Sequence, residues 1–188
     1  SPTAKIDWTW ASLAGLKEKD RITDPTPQFL ARLLHEQRRA ITGGRSGGVT
    51  TAALKQMAER RKNAKKVLVI MDDAIADTKL INSSEFLKVF IEGRHFNISV
   101  MLMSQSFMKV PRSVRLQATH LCLFPSRRTE VDRVFKEVAP KELCKKDFFD
   151  LVAFATEATP QEPYPFLYVD IFAPPQKVSR TITFFLIT

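Results

Sequence analysis

Val67-Leu-Val-Ile-Met-Asp-Asp73 is the stretch that decides the fold. Its unbroken apolar run is rich in β-branched residues and too short for an ordinary helix. Such a run suits a strand buried on both faces, as in the middle of a parallel sheet. Two carboxylates come next. The strand therefore delivers Asp72 and Asp73 at its C-terminal end, the edge where open α/β sheets bind ligands.

The flanking sequence supplies the helices that such a sheet needs. Upstream, Asp24-Pro25-Thr26-Pro27 gives a helix start, with cap first and proline just inside. Phe29, Leu30, Leu33, Leu34 and Ile41 then recur at helical spacing and predict an amphipathic helix over 26–41. The glycine cluster Thr42-Gly-Gly-Arg-Ser-Gly-Gly48 breaks it. A second helix over 50–63 is expected to turn Leu54 and Met57 inward and to end on Arg60, Arg61 and Lys62. Cations there also suit the helix dipole. Residues 1–23, with Trp8 and Trp10, show no clear period.

Downstream, Ser83 or Ser84 caps a helix with Phe86, Leu87, Phe90 and Ile91 facing inward, stopping at Gly93. Asn97 to Met103 reads as the next strand and Thr119 to Phe124 as another. Helices are expected over 127–138 and 141–157, the second opened by Pro140. Phe166 to Phe172 and Val178 to Ile187 predict a closing C-terminal hairpin around Pro174-Pro175. Strands alternating with helices give an α/β class with a largely parallel central sheet flanked by helices. At 188 residues the chain is expected to be a single domain, 1–188.

Composition narrows the partners. The net charge of +9 is suited to a polyanion, and nucleic acid is the usual one. Cys122, in the run His120-Leu-Cys-Leu-Phe124, reads as a buried strand residue, and Cys144 falls in a predicted helix. Without CxxC or a histidine at ligand spacing, these thiols fit a reducing compartment rather than a disulfide scaffold. No apolar run approaches a membrane span and no signal-peptide core is present, so a soluble intracellular protein is expected.

In nucleotide hydrolases an acid placed like Asp72 holds Mg²⁺ through its water shell, and a second, like Asp73, polarises the attacking water. The acids alone also fit an ordinary strand end. The order of the downstream segments is more specific: Glu92-Gly-Arg-His95, the strand to Met103, Ser104-Gln105, then Val110-Pro-Arg-Ser-Val-Arg115. This order resembles the FtsK–HerA superfamily of P-loop ATPases, and most closely the packaging ATPases of poxviruses and other large DNA viruses. The resemblance covers residues 24–138, and more loosely the rest.

That resemblance implies a P-loop NTPase-like fold and ATP hydrolysis with Mg²⁺. The work done would be translocation of double-stranded DNA into a capsid by a homo-oligomeric ring docked on a capsid or portal protein. The place would be the host-cell cytoplasm or the virion. It makes Gln105 a γ-phosphate sensor or water-orienting group beside Asp72 and Asp73. Arg94 becomes the arginine finger, acting on a neighbouring subunit, with Arg112 and Arg115 as rivals. His35, His95 and His120 are expected to be structural.

A phosphate loop needs GxxxxGK[ST], whose lysine reaches the β- and γ-phosphates. The nearest match, Gly43-Gly-Arg-Ser-Gly-Gly-Val-Thr50, has Val49 where lysine belongs and follows a helix. It reads as a linker. The resembled family carries its loop upstream, so the expectation is an N-terminally incomplete packaging ATPase. The alternative is a degenerate, non-catalytic relative acting as a DNA-binding or assembly module.

Overall fold

The computed structural model describes residues 22, 25–44, 50–172 and 182–183. Trp8, Trp10, Asp24, residues 45–49, Pro174-Pro175 and most of the hairpin's second half lie outside the described residues. The chain divides into two compact units, one holding residues up to 105 together with 109–114, the other holding 106–108 and the residues from 115 onward.

In the first unit Thr26 caps α1 (Pro27–Thr42), its hydroxyl accepting from the Phe29 amide at 3.2 Å. Gly43 closes the helix at φ 70°, in the left-handed region that glycine enters without a steric penalty. Thr50 caps α2 (Thr51–Asn63), a helix with no buried residue. Leu54, expected inside, is 53% exposed. Then come β1 (Val67–Asp72), a short turn, α3 (Thr78–Ile81), α4 (Ser84–Glu92) and β2 (Ile98–Met103). Ser83, one of the two expected caps, caps α4. Phe86 and Val89 are the buried residues of this helix, while Ile91 faces solvent.

β1 and β2 pair in parallel, Val67 opposite Ile98 through to Asp72 opposite Met103. The connection through α4 is the crossover that a parallel pair demands. Val67, Val69 and Met71 share a face with Ile98, Val100 and Leu102, and α1 and α4 cover it with Leu30, Leu34, Phe86 and Val89. On the other face Leu68 is 60% and Met101 47% exposed. The expected burial of β1 on both faces therefore holds for one face among the described residues.

Asn97 ties the N-terminal ends of these strands. It stands at φ 57°, where a short amide side chain is tolerated. Its Nδ2 donates to the Arg61 carbonyl at 2.7 Å, and Arg61 Nε donates back to its Oδ1 at 3.3 Å. Arg61 also donates to the Arg94 carbonyl at 2.7 Å.

The second unit carries β3 (His120–Leu123), α6 (Arg128–Val138), α7 (Lys145–Ala155), β4 (Leu167–Asp170) and β5 (Ile182–Thr183), α5 (Arg112–Arg115) ending where it begins. β3 pairs antiparallel with β4, and β4 antiparallel with β5. The expected largely parallel sheet is thus limited to β1 and β2 among the described residues. In β3 Leu121 and Leu123 turn inward while His120 and Cys122 face out, a one-sided pattern that an antiparallel partner accommodates. Cys122, expected buried, is exposed, and Cys144 caps α7 rather than lying within it. The core here is Val131, Val134, Phe148, Val152, Leu167 and Val169. No helix among the described residues is long and apolar enough to cross a membrane.

Two measurements check this account. Asn97→Ala should cost about 2 kcal/mol in urea denaturation, from the missing hydrogen bonds and a strained φ. Asn97→Gly should recover only the part due to φ. In the second unit, Lys136 and then Lys145 hold the Asp132 carboxyl down to about 2 from its ordinary 3.8. Asp132 therefore stabilises the fold above the unfolded value and loses that contribution as pH falls through the folded one. Melting of the protein and of Asp132→Asn should differ at pH near 5 and converge toward pH 2.

Candidate functional site

Parallel pairing brings the C-terminal ends of β1 and β2 to one edge, and it places the candidate residues there. Asp72 is the last residue of β1, partly buried, opposite Met103. The Asp73 amide donates to the Met103 carbonyl at 3.3 Å, which extends the ladder one step beyond the strand. Gln105 lies two residues past Met103, exposed. These three share the edge. Neither aspartate carboxylate has a hydrogen-bond or ion-pair partner among the described residues.

Asp73 holds φ 51°, ψ 27°, in the left-handed region that few non-glycine residues adopt. Behind it Ala74 and Ile75 are buried and anchor the turn. Asp77, the next acid, is already occupied: its carboxylate accepts from the Lys79 and Leu80 amides at 2.9 and 3.1 Å and caps α3. The chain thus turns sharply after Asp72, holds one exposed carboxylate in a strained conformation, and commits the third acid to structure.

Two adjacent unpartnered carboxylates suit hydrated Mg²⁺, which takes one or two carboxylates and keeps water and phosphate oxygens for the rest. No group of three or more His, Cys, Asp or Glu side chains is placed to cage an ion among the described residues.

The arginines separate. Arg94 is exposed and lies just before β2, so it stands at the opposite end of the ladder from Asp72. Arg112 is exposed on α5. Arg115 belongs to the second unit and is committed there. Its side chain is 7% exposed, its Nε and Nη2 both reach the Glu137 carboxylate at 2.9 Å, and its guanidinium stacks 5.0 Å from the Phe107 ring centroid. Glu137 and Asn97 are structural partners that the sequence motifs do not include. Nothing in the sequence marks Glu137, whereas an asparagine between a helix end and a strand is a left-handed turn signal.

Against known families, residues 48–172 match the one described as Poxvirus A32 protein. The chain is 29% identical over 94 residues to uncharacterized protein 015R of Frog virus 3, covering 48% of this chain and 29% of that protein. It is 27% identical over 96 residues to DNA packaging protein OPG160 of Variola virus, and equally to that of Vaccinia virus, covering 51% of this chain and 34% of theirs. The matched segment thus spans about a third of these relatives. No solved structure matches.

The strained turn is directly testable. Asp73→Gly should leave stability unchanged or slightly raised, whereas Asp73→Ile should lower it by about 1–2 kcal/mol, because β-branched residues resist positive φ. An isoleucine variant as stable as the parent in chemical denaturation would mean that this turn is not held as described.

Proposed function

The chain belongs to the poxvirus A32 protein family, and from that membership we propose that it serves viral DNA packaging as the acid-and-sensor part of an ATP-driven motor. The observation that carries the catalytic part is the edge shared by Asp72, Asp73 and Gln105, with both carboxylates unpartnered among the described residues. In this reading the fold is P-loop NTPase-like and the wider relationship is to the FtsK–HerA superfamily. Asp72 holds Mg²⁺ through water, Asp73 draws a proton from the attacking water, and Gln105 orients that water against the γ-phosphate.

Arg94 is the finger in this proposal. The strands between it and Asp72 are six residues long, about 20 Å at the usual rise, which is beyond an arginine's reach. A finger at that end must serve a neighbouring subunit, which is what a ring provides. Arg115 is bound to Glu137, so Arg112 is the exposed rival. Double-stranded DNA is the cargo, a capsid or portal protein the docking partner, and the infected cell or virion the place.

The second reading is a non-catalytic relative. It is favoured by the absence of GxxxxGK[ST] from these 188 residues. Gly43 closes α1 and Thr50 opens α2, so the glycine cluster follows a helix rather than the strand a phosphate loop requires.

The deciding test is DNA-stimulated ATP hydrolysis by the motor protein that contains this segment together with a GxxxxGK[ST] loop. Asp73→Asn should reduce turnover by orders of magnitude and leave ATP affinity nearly intact. Arg94→Ala should do the same by about 10³-fold or more, and mixing the two variants should restore part of the activity, each supplying what its neighbour lacks. Undiminished turnover in Asp73→Asn overturns the catalytic reading.

A further inference from the structure

The positive charge is not spread evenly. Among the described residues the first unit carries fourteen Lys and Arg against seven Asp and Glu, and the second eight against nine. Much of the excess gathers at the N-terminal end of the β1–β2 ladder, where the end of α1, the end of α2, the link 64–66 and the turn Gly93–Phe96 meet. Side-chain contacts fix this meeting: Gln37 Nε2 donates to the Lys65 carbonyl at 3.3 Å, Arg61 grips Asn97 and the Arg94 carbonyl, and Arg60 lies against Gly43.

Several cations there are held by neutral groups. Arg38 stacks 5.6 Å from the Phe96 ring centroid, and Arg61 donates to an amide oxygen and a carbonyl. Lys62, in contrast, pairs with Glu59 at 2.9 Å. For Arg38, Arg39, Arg60, Lys65 and Lys66, all exposed, no carboxylate partner is found among the described residues. Helix dipoles explain cations in the last turns of α1 and α2. They do not explain Lys65 and Lys66, which lie outside both helices.

We propose that this end of the ladder is a docking surface for the phosphate backbone of duplex DNA. The choice of DNA rests on the packaging reading; the location rests on the geometry. Pre-oriented guanidinium forks match phosphate oxygens, and the flanking lysines add point charge. The surface is made of helix ends and a turn, with no long element to enter a groove. It reads charge and spacing rather than base sequence. Polyanion and the subunit's own nucleotide are thereby kept at opposite ends of the same two strands, and Arg94, at the margin of the surface, is left to the neighbouring subunit.

The test uses the 188-residue chain and a short labelled duplex titrated between about 50 and 200 mM salt. Arg38→Gln/Lys65→Gln/Lys66→Gln should flatten the slope of log affinity against log salt by about one for each phosphate interaction removed. Arg127→Gln/Lys141→Gln/Lys146→Gln removes the same net charge from exposed positions of the second unit and should leave the slope nearly unchanged. Lys65→Glu/Lys66→Glu serves if melting shows that removing Arg38 from Phe96 disturbs folding; it should weaken binding more than neutralisation does. Equal losses in both triple variants overturn the surface and leave the DNA reading standing. Absence of salt-sensitive binding by the parent chain overturns both. Displacement of the duplex by polyglutamate, charge for charge, would assign the surface to an acidic protein and overturn the choice of DNA.

Discussion

The register of β1 against β2 governs everything built on the first unit. Side chains along β1 alternate, so Val67, Val69 and Met71 enter the core while Asp72 stays at its margin. A slip of one residue would turn Met71 outward and push Asp72 under α1 and α4, against Phe86 and Leu80, both fully buried. Burying an unpaired carboxylate there costs several kcal/mol, far more than one ladder hydrogen bond returns. The same register sets Asp72 opposite Met103, bonds the Asp73 amide to the Met103 carbonyl and brings Gln105 to the same edge. The candidate site is therefore a consequence of how an apolar strand protects its own core.

At the other end the ladder depends on a small polar clasp. Asn97 uses both ends of its amide and accepts a left-handed backbone to do so. Val67 donates to the Asn97 carbonyl at 2.9 Å, so β1 begins pairing at the residue that also holds Arg61. Gly93 precedes it with little room: a Cβ there would stand 3.3 Å from Ile98 Cβ. The Gly-Arg-His turn is thus tightly packed at its glycine and exposed at Arg94 and His95.

How much of the molecule is legible in its sequence varies with the physics involved. Apolar periodicity locates α1 and α4, the strands β1 and β2, and the edge shared by Asp72, Asp73 and Gln105, because those features are local or follow from parallel pairing. The partner of β3 is not legible. A four-residue strand carries no mark of which neighbour it will bond, and His120-Leu-Cys-Leu123 reads as continuous unless its alternation is weighted. Periodicity misplaces Leu54 because α2 has too few apolar residues to define an inward face. Arg115 illustrates a harder limit. A finger and a buried structural arginine present the same guanidinium fork, and only the Glu137 carboxylate across from it tells them apart.

The distribution of charge also follows a simple electrostatic rule. Were Arg38, Lys65 or Lys66 beside Asp72 and Asp73, they would pair with them, and neither group would remain available to a ligand. Keeping like charges together at each end of the ladder is cheap when they are exposed: two unit charges ~8 Å apart in water repel by only ~0.5 kcal/mol, and salt reduces it further. The cost is small because water and salt screen it, and it reverses sign when an opposite charge arrives. An anion lined with phosphates gains from every cation already gathered, while hydrated Mg²⁺ gains from two carboxylates already unpaired. In the proposed function, the ladder's length separates the two ends of one subunit by more than a Debye length at physiological salt, so DNA and that subunit's own nucleotide would not act on each other directly. Coupling between them would pass through the strands and the Asn97 clasp that join the two ends, or through Arg94 to the neighbouring subunit.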